Sequence, residues 1–488
     1  MSSPMHGNRA RDAAGHWEIV LLVLSAAALF FANTARPSLP SLDDCYYARK
    51  GVEMGRQGAF FTVTWNGQPT FQNPPLQFWI LGRSFALFGE NDGAARLPSA
   101  LMAIGIALGV HRIGLLTLGA REAATAVALL LATPIFANNA RRNMLEIPLT
   151  FWVVLTVLVF LAGLERPRLH VLLVLPLGAA LLTKSVLGLL PLGAMAGAML
   201  DARARASLRR PWLWIGVAGG LALGAAWPIQ QALTLGPHAL SEHYLGEILG
   251  KSTQPIPAWR RLAGYPLLLL ERYHPPVLPA VAGMALIWKR WRTEGDGRPM
   301  VVVAWILVPL LAYAFSSAQS LRYIFPVLPA LALAGGFWLA RRLPAAARAV
   351  CVAVPVLLFA AAGVFWLKPQ LLTQPGNEVF KFDAGVVAAT VAPGEPIAYV
   401  GNRYWTLANP MLYYVERELE MPPLPSVPEG VRLAAARPSR LLMLDSERLV
   451  ELRELGVPHL EVLKGRDWSL VRIRKGAKRA LEGRAASS

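Results

Sequence analysis

Five charged residues stand at the edges of long apolar runs. Asp43 and Asp44 are adjacent in SLDDCYYARK, residues 41 to 50, a few positions after the first such run. Glu146 opens another in ARRNMLEIPLTFW (140 to 152), and Lys184 and Arg322 border two more, in TKSVLGLLP (183 to 191) and LRYIFPVLPALAL (321 to 333). A carboxylate held at a bilayer surface can orient a hydroxyl and take its proton. A cation at the end of a span can hold a phosphate at the interface. Each residue also has a plainer reading. Asp43 and Asp44 can satisfy the free amides of a helix beginning CYYARKG and complement its dipole. Lys184 and Arg322 can anchor span ends, Glu146 can pair with Arg141 or Arg142, and His243 in SEHYLGEILGK can be an ordinary surface histidine. The residues alone leave both readings open.

The elements that would position them belong to a membrane. A chain of 488 residues with 55% hydrophobic composition and a mean hydropathy of +0.41 is too apolar for a soluble domain of that size. Apolar windows of about 20 residues fall at 17 to 34, 97 to 115, 121 to 138, 147 to 164, 169 to 184, 186 to 200, 211 to 231, 263 to 288, 299 to 316, 322 to 340 and 346 to 367, eleven in all. The formal charge is +18, and residues 370 onward hold 16 Lys and Arg against 14 Asp and Glu. The excess therefore lies among the spans, in short basic loops that share one side when eleven spans alternate, as the positive-inside rule requires of a cytoplasmic face. That distribution argues against nucleic acid as a partner. Cys45 and Cys351 are far apart and indicate no disulfide framework.

Residues 1 to 368 thus read as a transmembrane domain with two large extracytoplasmic loops, 35 to 96 and 232 to 262. In the first of these, NPPLQFWILGRSFALFG is too short to span and is expected along the membrane surface, with Trp65, Phe78 and Trp79 in an interfacial belt. Residues 369 to 488 change character. Short β-rich runs at 396 to 401, 440 to 445, 459 to 464 and 468 to 474 alternate with helical patterns such as SERLVELRELG, so a small α/β domain outside the cytoplasm is expected.

The run LDDCYYARKGVEMGRQGAFFTVTWNGQPTFQNPPLQFWILGRSFALFGENDGAARLPSAL resembles the first extracytoplasmic loop of the bacterial ArnT and protein-mannosyltransferase-like glycosyltransferases, polytopic enzymes of GT-C architecture. ARRNMLEIPLTFW resembles the family's second acidic loop, TKSVLGLLP its Thr-Lys segment, and LRYIFPVLPALAL its Arg-Tyr and double-proline helix. The resemblance implies a GT-C fold and transfer of a sugar from an undecaprenyl or related polyprenyl phosphate, with inversion, to an extracytoplasmic lipid or glycan such as lipid A. It implies Asp43, Asp44 and Glu146 as catalytic acids, and Lys184, Arg322, Tyr323 and Tyr47 on the donor phosphate. His243 and Arg141 become candidate substrate contacts. The chain departs from the family at residues 70 to 75, Thr-Phe-Gln-Asn-Pro-Pro, where the family usually has Tyr-Phe-Glu-Lys before the prolines. The missing lysine is a phosphate contact and the missing glutamate lies near a metal, so no metal ligand is assigned. The change also argues against aminoarabinose, whose amine favours acidic neighbours.

Two other functions fit many spans with interfacial cations. One is protein O-mannosyltransferase-like transfer to serine or threonine. The other is a lipid or glycan transporter, which would place acids or broken helices near mid-span; here the acids cluster outside the spans, which favours chemistry at the surface.

Overall fold

The computed structural model describes residues 5–58, 60–249, 257–314, 320–368, 377–477 and 481. The sequence-expected turn at 316 to 320 and the tail past 477 fall almost wholly outside the described residues. The chain divides into two compact units, Met1–Thr34 with Gly51–Leu372, and Ala35–Lys50 with Thr373–Ser488.

The first unit is helical and apolar. Its early helices are α1 (Met5–Phe31), α3 (Leu76–Phe88), α4 (Asp92–Thr117), α5 (Ala120–Leu131), α6 (Pro134–Ala140), α7 (Glu146–Glu165), α8 (Val174–Lys184) and α9 (Leu190–Ala198), with the end of α2 (Leu42–Gln57) and a two-residue hairpin of β1 (Thr64–Trp65) and β2 (Gln68–Pro69). Asn91 starts α4 by accepting from the Ala94 amide at 3.0 Å, the usual service of an N-cap side chain. The stretch Leu321–Arg342 lies at the centre, with 83% of its apolar window buried, whereas Pro211–Leu235 and Pro344–Leu367 bury 22% and 28% and line the periphery. Small residues permit that packing. A Cβ on Gly336 would come within 2.6 Å of the Ala126 amide nitrogen, a spacing that lets backbones touch where hydrophobicity gives helices little reason to associate.

Among the described residues six helices are long and apolar enough to cross a membrane, or seven if α5 and α6, which meet at 72°, form one broken span. Hydropathy windows number eleven, and the difference has local causes. The apolar part of α1 covers 17 to 31 and the helix Met300–Ala314 is also short. The window 263 to 288 is split into Ala258–Arg272 and Val277–Glu294 at Pro275 and Pro276, which cannot donate to the helical ladder. The windows 169 to 184 and 186 to 200 form one helical stretch, Pro167–Ala198, which is interrupted after Lys184. Phe78, expected in an interfacial belt, is fully buried instead. Both cysteines are buried, and neither is in a disulfide among the described residues.

The second unit is built on a four-stranded sheet of order β3-β4-β6-β5, formed by Ala398–Val400, Leu441–Asp445, Trp468–Ile473 and His459–Lys464. β3 and β4 are parallel and the other pairs antiparallel. Every residue of β3 and β4 is buried, because apolar side chains cover both faces. Met443 and Leu470 join Phe380, Leu407 and Met411 in one cluster, while Leu442 and Val471 join Val431 and Leu452 in another. Continuous apolar strands are the signature of a sheet covered on both sides. Residues 35 to 50, read from sequence as part of one loop with 51 to 96, cluster here with the C-terminal residues. Asn377 donates to the Leu39 carbonyl at 2.8 Å, the Leu39 amide to Tyr414 Oη at 2.7 Å, and Lys381 to the Arg36 carbonyl at 2.9 Å.

Candidate active site

Glu146 opens α7 and Lys184 closes α8. Their side chains meet, Lys184 Nζ lying 3.2 Å from Glu146 Oε1, with 15% and 3% of the side chains exposed. Two charges so far from water persist only as a pair. The other carboxylate oxygen, Oε2, is buried and has no hydrogen-bond partner among the described residues. The expected partners of Glu146 were Arg141 or Arg142, and the structure corrects this for Arg141. Its guanidinium donates to the Leu29 and Ala32 carbonyls and lies 3.7 Å from the Phe365 ring. Burial first, and then the charge of Arg96, lower its pKa to about 10. Arg141 thereby ties down carbonyls at and just past the end of α1, where the regular helical bonds run out.

α8 ends at Lys184 for a backbone reason. Ser185 has φ +46°, a left-handed conformation costly for most residues. Beyond it the chain folds back so closely that a Cβ on Gly188 would stand 2.4 Å from the Leu181 amide nitrogen. The ammonium is thus held at the negative end of a short helix, where a cation is favoured.

The break is tied down from a third direction. His243 is 3% exposed, with Nδ1 2.5 Å from the Phe71 carbonyl and Nε2 2.9 Å from Ser185 Oγ. A carbonyl only accepts, so in the neutral ring Nδ1 carries the proton and Nε2 accepts from the serine hydroxyl. The Trp227 ring lies edge-on at 5.1 Å. His243 is therefore a buried clamp between the loop at 70 to 75 and the end of α8, and the surface reading is corrected. Ser185 was missed by sequence reasoning. It stands beside Lys184 in TKSVLGLLP, but its backbone conformation has no sequence signature.

Tyr323 completes this group, its ring centroid 5.6 Å from Lys184 Nζ, within reach of a cation–π attraction. It stacks on Tyr313 at 6.0 Å, whose buried hydroxyl has no partner among the described residues. Arg322 is exposed, and Ser320 starts its short helix by accepting from the Arg322 amide. The structure thus brings together Glu146, Lys184, Ser185, His243 and Tyr323 and assigns Arg141 elsewhere.

Asp43, Asp44 and Tyr47 belong to the second unit. Both acids sit in the first turn of α2. Asp44 is fully buried; its amide donates to Ser41 Oγ at 3.4 Å and its carboxylate accepts from that hydroxyl at 2.6 Å, so Ser41 caps the helix and Asp44 orients the capping hydroxyl. Asp43 and Tyr47 are half-buried, and the Tyr47 ring lies 5.8 Å from that of Tyr46. Among the described residues no three His, Cys, Asp or Glu side chains gather as a metal cluster.

The family model described as dolichyl-phosphate-mannose-protein mannosyltransferase matches residues 72–229. An undecaprenyl phosphate-alpha-4-amino-4-deoxy-L-arabinose arabinosyl transferase of Pseudomonas fluorescens is 27% identical over 383 residues, 75% of this chain and 67% of that protein. An uncharacterized protein of Aquifex aeolicus is 26% identical over 180 residues, 36% of either chain. The match therefore spans about a third of one relative and two thirds of the other. Among solved structures, ArnT from Cupriavidus metallidurans bound to undecaprenyl phosphate superposes with a TM-score of 0.72 at 19% identity, over 94% of this chain and 98% of that one. At that identity the likeness is one of fold.

Proposed function

We infer that this chain, which belongs to the ArnT- and protein-mannosyltransferase-like family of GT-C membrane glycosyltransferases, moves a sugar from a polyprenyl phosphate to an extracytoplasmic lipid or glycan acceptor such as lipid A. The observation that supports this reading best is the buried Lys184–Glu146 pair at the end of α8 beside Tyr323, a fixed cation of the kind a departing phosphate requires. In the proposed reaction an acceptor hydroxyl attacks the anomeric carbon from the face opposite the phosphate. The new glycosidic bond forms as the bond to the phosphate oxygen breaks, and the configuration inverts. The hydroxyl proton passes to Asp43, in the first turn of a helix that Ser41 caps. The phosphate leaves as an anion whose charge is met by Lys184 and Arg322, with hydroxyl donors from Tyr323 and Tyr47. Glu146 orients the ammonium, and His243 holds the α8 break through Ser185. Gln72 and Asn73 replace an acid and a lysine of the family pattern, so the transferred sugar is proposed to be other than aminoarabinose.

The proposed topology has eleven spans, residues 1 to 368 forming the glycosyltransferase domain in the inner membrane and residues 369 to 488 a periplasmic domain. A periplasm-specific reporter fused after residue 375 is expected to be active; reporter activity only in the cytoplasm would overturn the sidedness. The function itself is tested by mass spectrometry of lipids, glycans and envelope proteins from cells with and without the gene. One glycosyl increment is expected to vanish from a lipid or glycan fraction, and identical profiles would refute the transfer. The description of the family model matching 72–229 favours a second reading, transfer to protein serine or threonine, which loss of the increment from envelope proteins alone would select.

A further inference from the structure

The second unit carries a groove of about 430 Å³ between the loop after β3 and the segment 421 to 425, lined by Asn402, Tyr404, Trp405, Met421, Pro423 and Arg448 among others. Its position follows from the strand order. β3 and β4 run parallel, in register from Ala398 opposite Leu442 to Val400 opposite Leu444, so their carboxyl ends lie side by side at Gly401 and Asp445. In α/β sheets ligands bind outside such ends, and the volume is within the range of small-ligand pockets, about 300–1,000 Å³.

The floor is rigid. Asp445 Oδ1 accepts from Tyr399 Oη at 2.9 Å and Oδ2 from the Asn402 amide at 2.7 Å, while Tyr399 Oη itself accepts from the Arg403 amide at 2.7 Å. Burial pushes the Tyr399 hydroxyl above its ordinary range, so it stays protonated as a donor. Gly401 passes so near this carboxylate that a Cβ would lie 2.4 Å from Asp445 Cγ. The loop that presents Asn402 is therefore preorganised, and Trp405, in the first turn of the helix Tyr404–Pro410 that follows it, remains 49% exposed.

We propose that this groove binds saccharide and holds the sugar rings of an anionic glycan or glycolipid acceptor. An indole face attracts the C–H face of a pyranose, because the ring's π cloud is negative and those hydrogens are positive. Asn402 and Arg448 supply planar donors for hydroxyls and for a carboxylate or phosphate. Among the described residues Arg448 pairs with Glu451, at 2.9 Å with both side chains over a third exposed, a pair weak enough for an anionic sugar to compete. The wall of Pro422, Pro423 and Pro425 has no backbone N–H to offer an extended peptide. The proposal rests on glycosyl transfer only for the source of the saccharide.

The experiment titrates the full-length protein in detergent, without donor, with trigalacturonic acid, maltotriose or an acidic peptide of equal charge, read by saturation-transfer NMR. Wild type is expected to bind the acidic trisaccharide in preference to maltotriose and to ignore the peptide. Trp405→Ala should weaken binding about tenfold or more, Trp405→Tyr should keep it, and Arg448→Gln should erase the preference for the acidic sugar. No binding of trigalacturonic acid, equal binding by Trp405→Ala, an unchanged preference in Arg448→Gln, or capture of the peptide instead would each overturn the proposal. Because no transfer is measured, failure here leaves the glycosyltransferase reading standing, and failure of transfer leaves this binding intact.

Discussion

Asp43→Asn is expected to reduce sugar transfer by about 10²–10⁴-fold, the contribution of a positioned general base, while leaving expression and membrane insertion unchanged. The substitution is nearly isosteric and removes only the capacity to take a proton. Asp43 lies in the first turn of α2 and is half-buried, so losing its charge costs the helix about 0.3–1 kcal/mol of dipole interaction, too little to unfold the chain. The adjacent Asp44 is the internal control. Its carboxylate is bound to Ser41, and Asp44→Asn keeps an acceptor oxygen there, so the activity it retains should follow folded yield. The assay is transfer from a defined polyprenyl-phosphate sugar by purified protein, with the pH–rate profile recorded for each variant. Near-normal turnover by Asp43→Asn would remove this residue from the mechanism.

Lys184→Met should lower kcat/KM by about 10²–10³-fold, as loss of a fixed charge facing a developing anion does, and should also destabilise the protein. The second effect follows from Glu146, whose carboxylate would be left buried with the Lys184 ammonium gone. Breaking a buried pair from one side costs about 3–5 kcal/mol. Combining Lys184→Met with Glu146→Gln separates the two effects, since no unpaired charge then remains. Thermal stability in detergent should largely return and activity should not. Recovery of transfer in the double variant would show that Lys184 acts only as the counter-ion of Glu146 and does not meet phosphate.

Most of the second unit was readable because its chemistry is local. The runs at 459 to 464 and 468 to 474 become β5 and β6 almost residue for residue, since β-branched and aromatic residues between turn formers need only a neighbouring strand to pair with. A helix near Asp43 and Asp44 was likewise readable, but it begins at Leu42, ahead of both acids, and Ser41 rather than either aspartate accepts a first-turn amide. The spans were less so. Hydropathy counts apolar residues but does not register that Pro275 and Pro276 split one window, or that the two windows flanking Ser185 form a single helical stretch that turns at that residue.

Composition and the basic loops by themselves marked the chain as a membrane protein, and four spaced motifs carried the resemblance that singled out its acids and cations. Only the tertiary structure decided who meets whom. It gave Glu146 to Lys184, 38 positions away, sent Arg141 to the end of α1, and made His243 a clamp on Ser185 and on Phe71, 172 positions away. The physical reason is that a buried charge or imidazole must find its counterpart in space. In a bundle of packed helices that counterpart is chosen by which turns lie side by side, which no periodicity along the chain encodes.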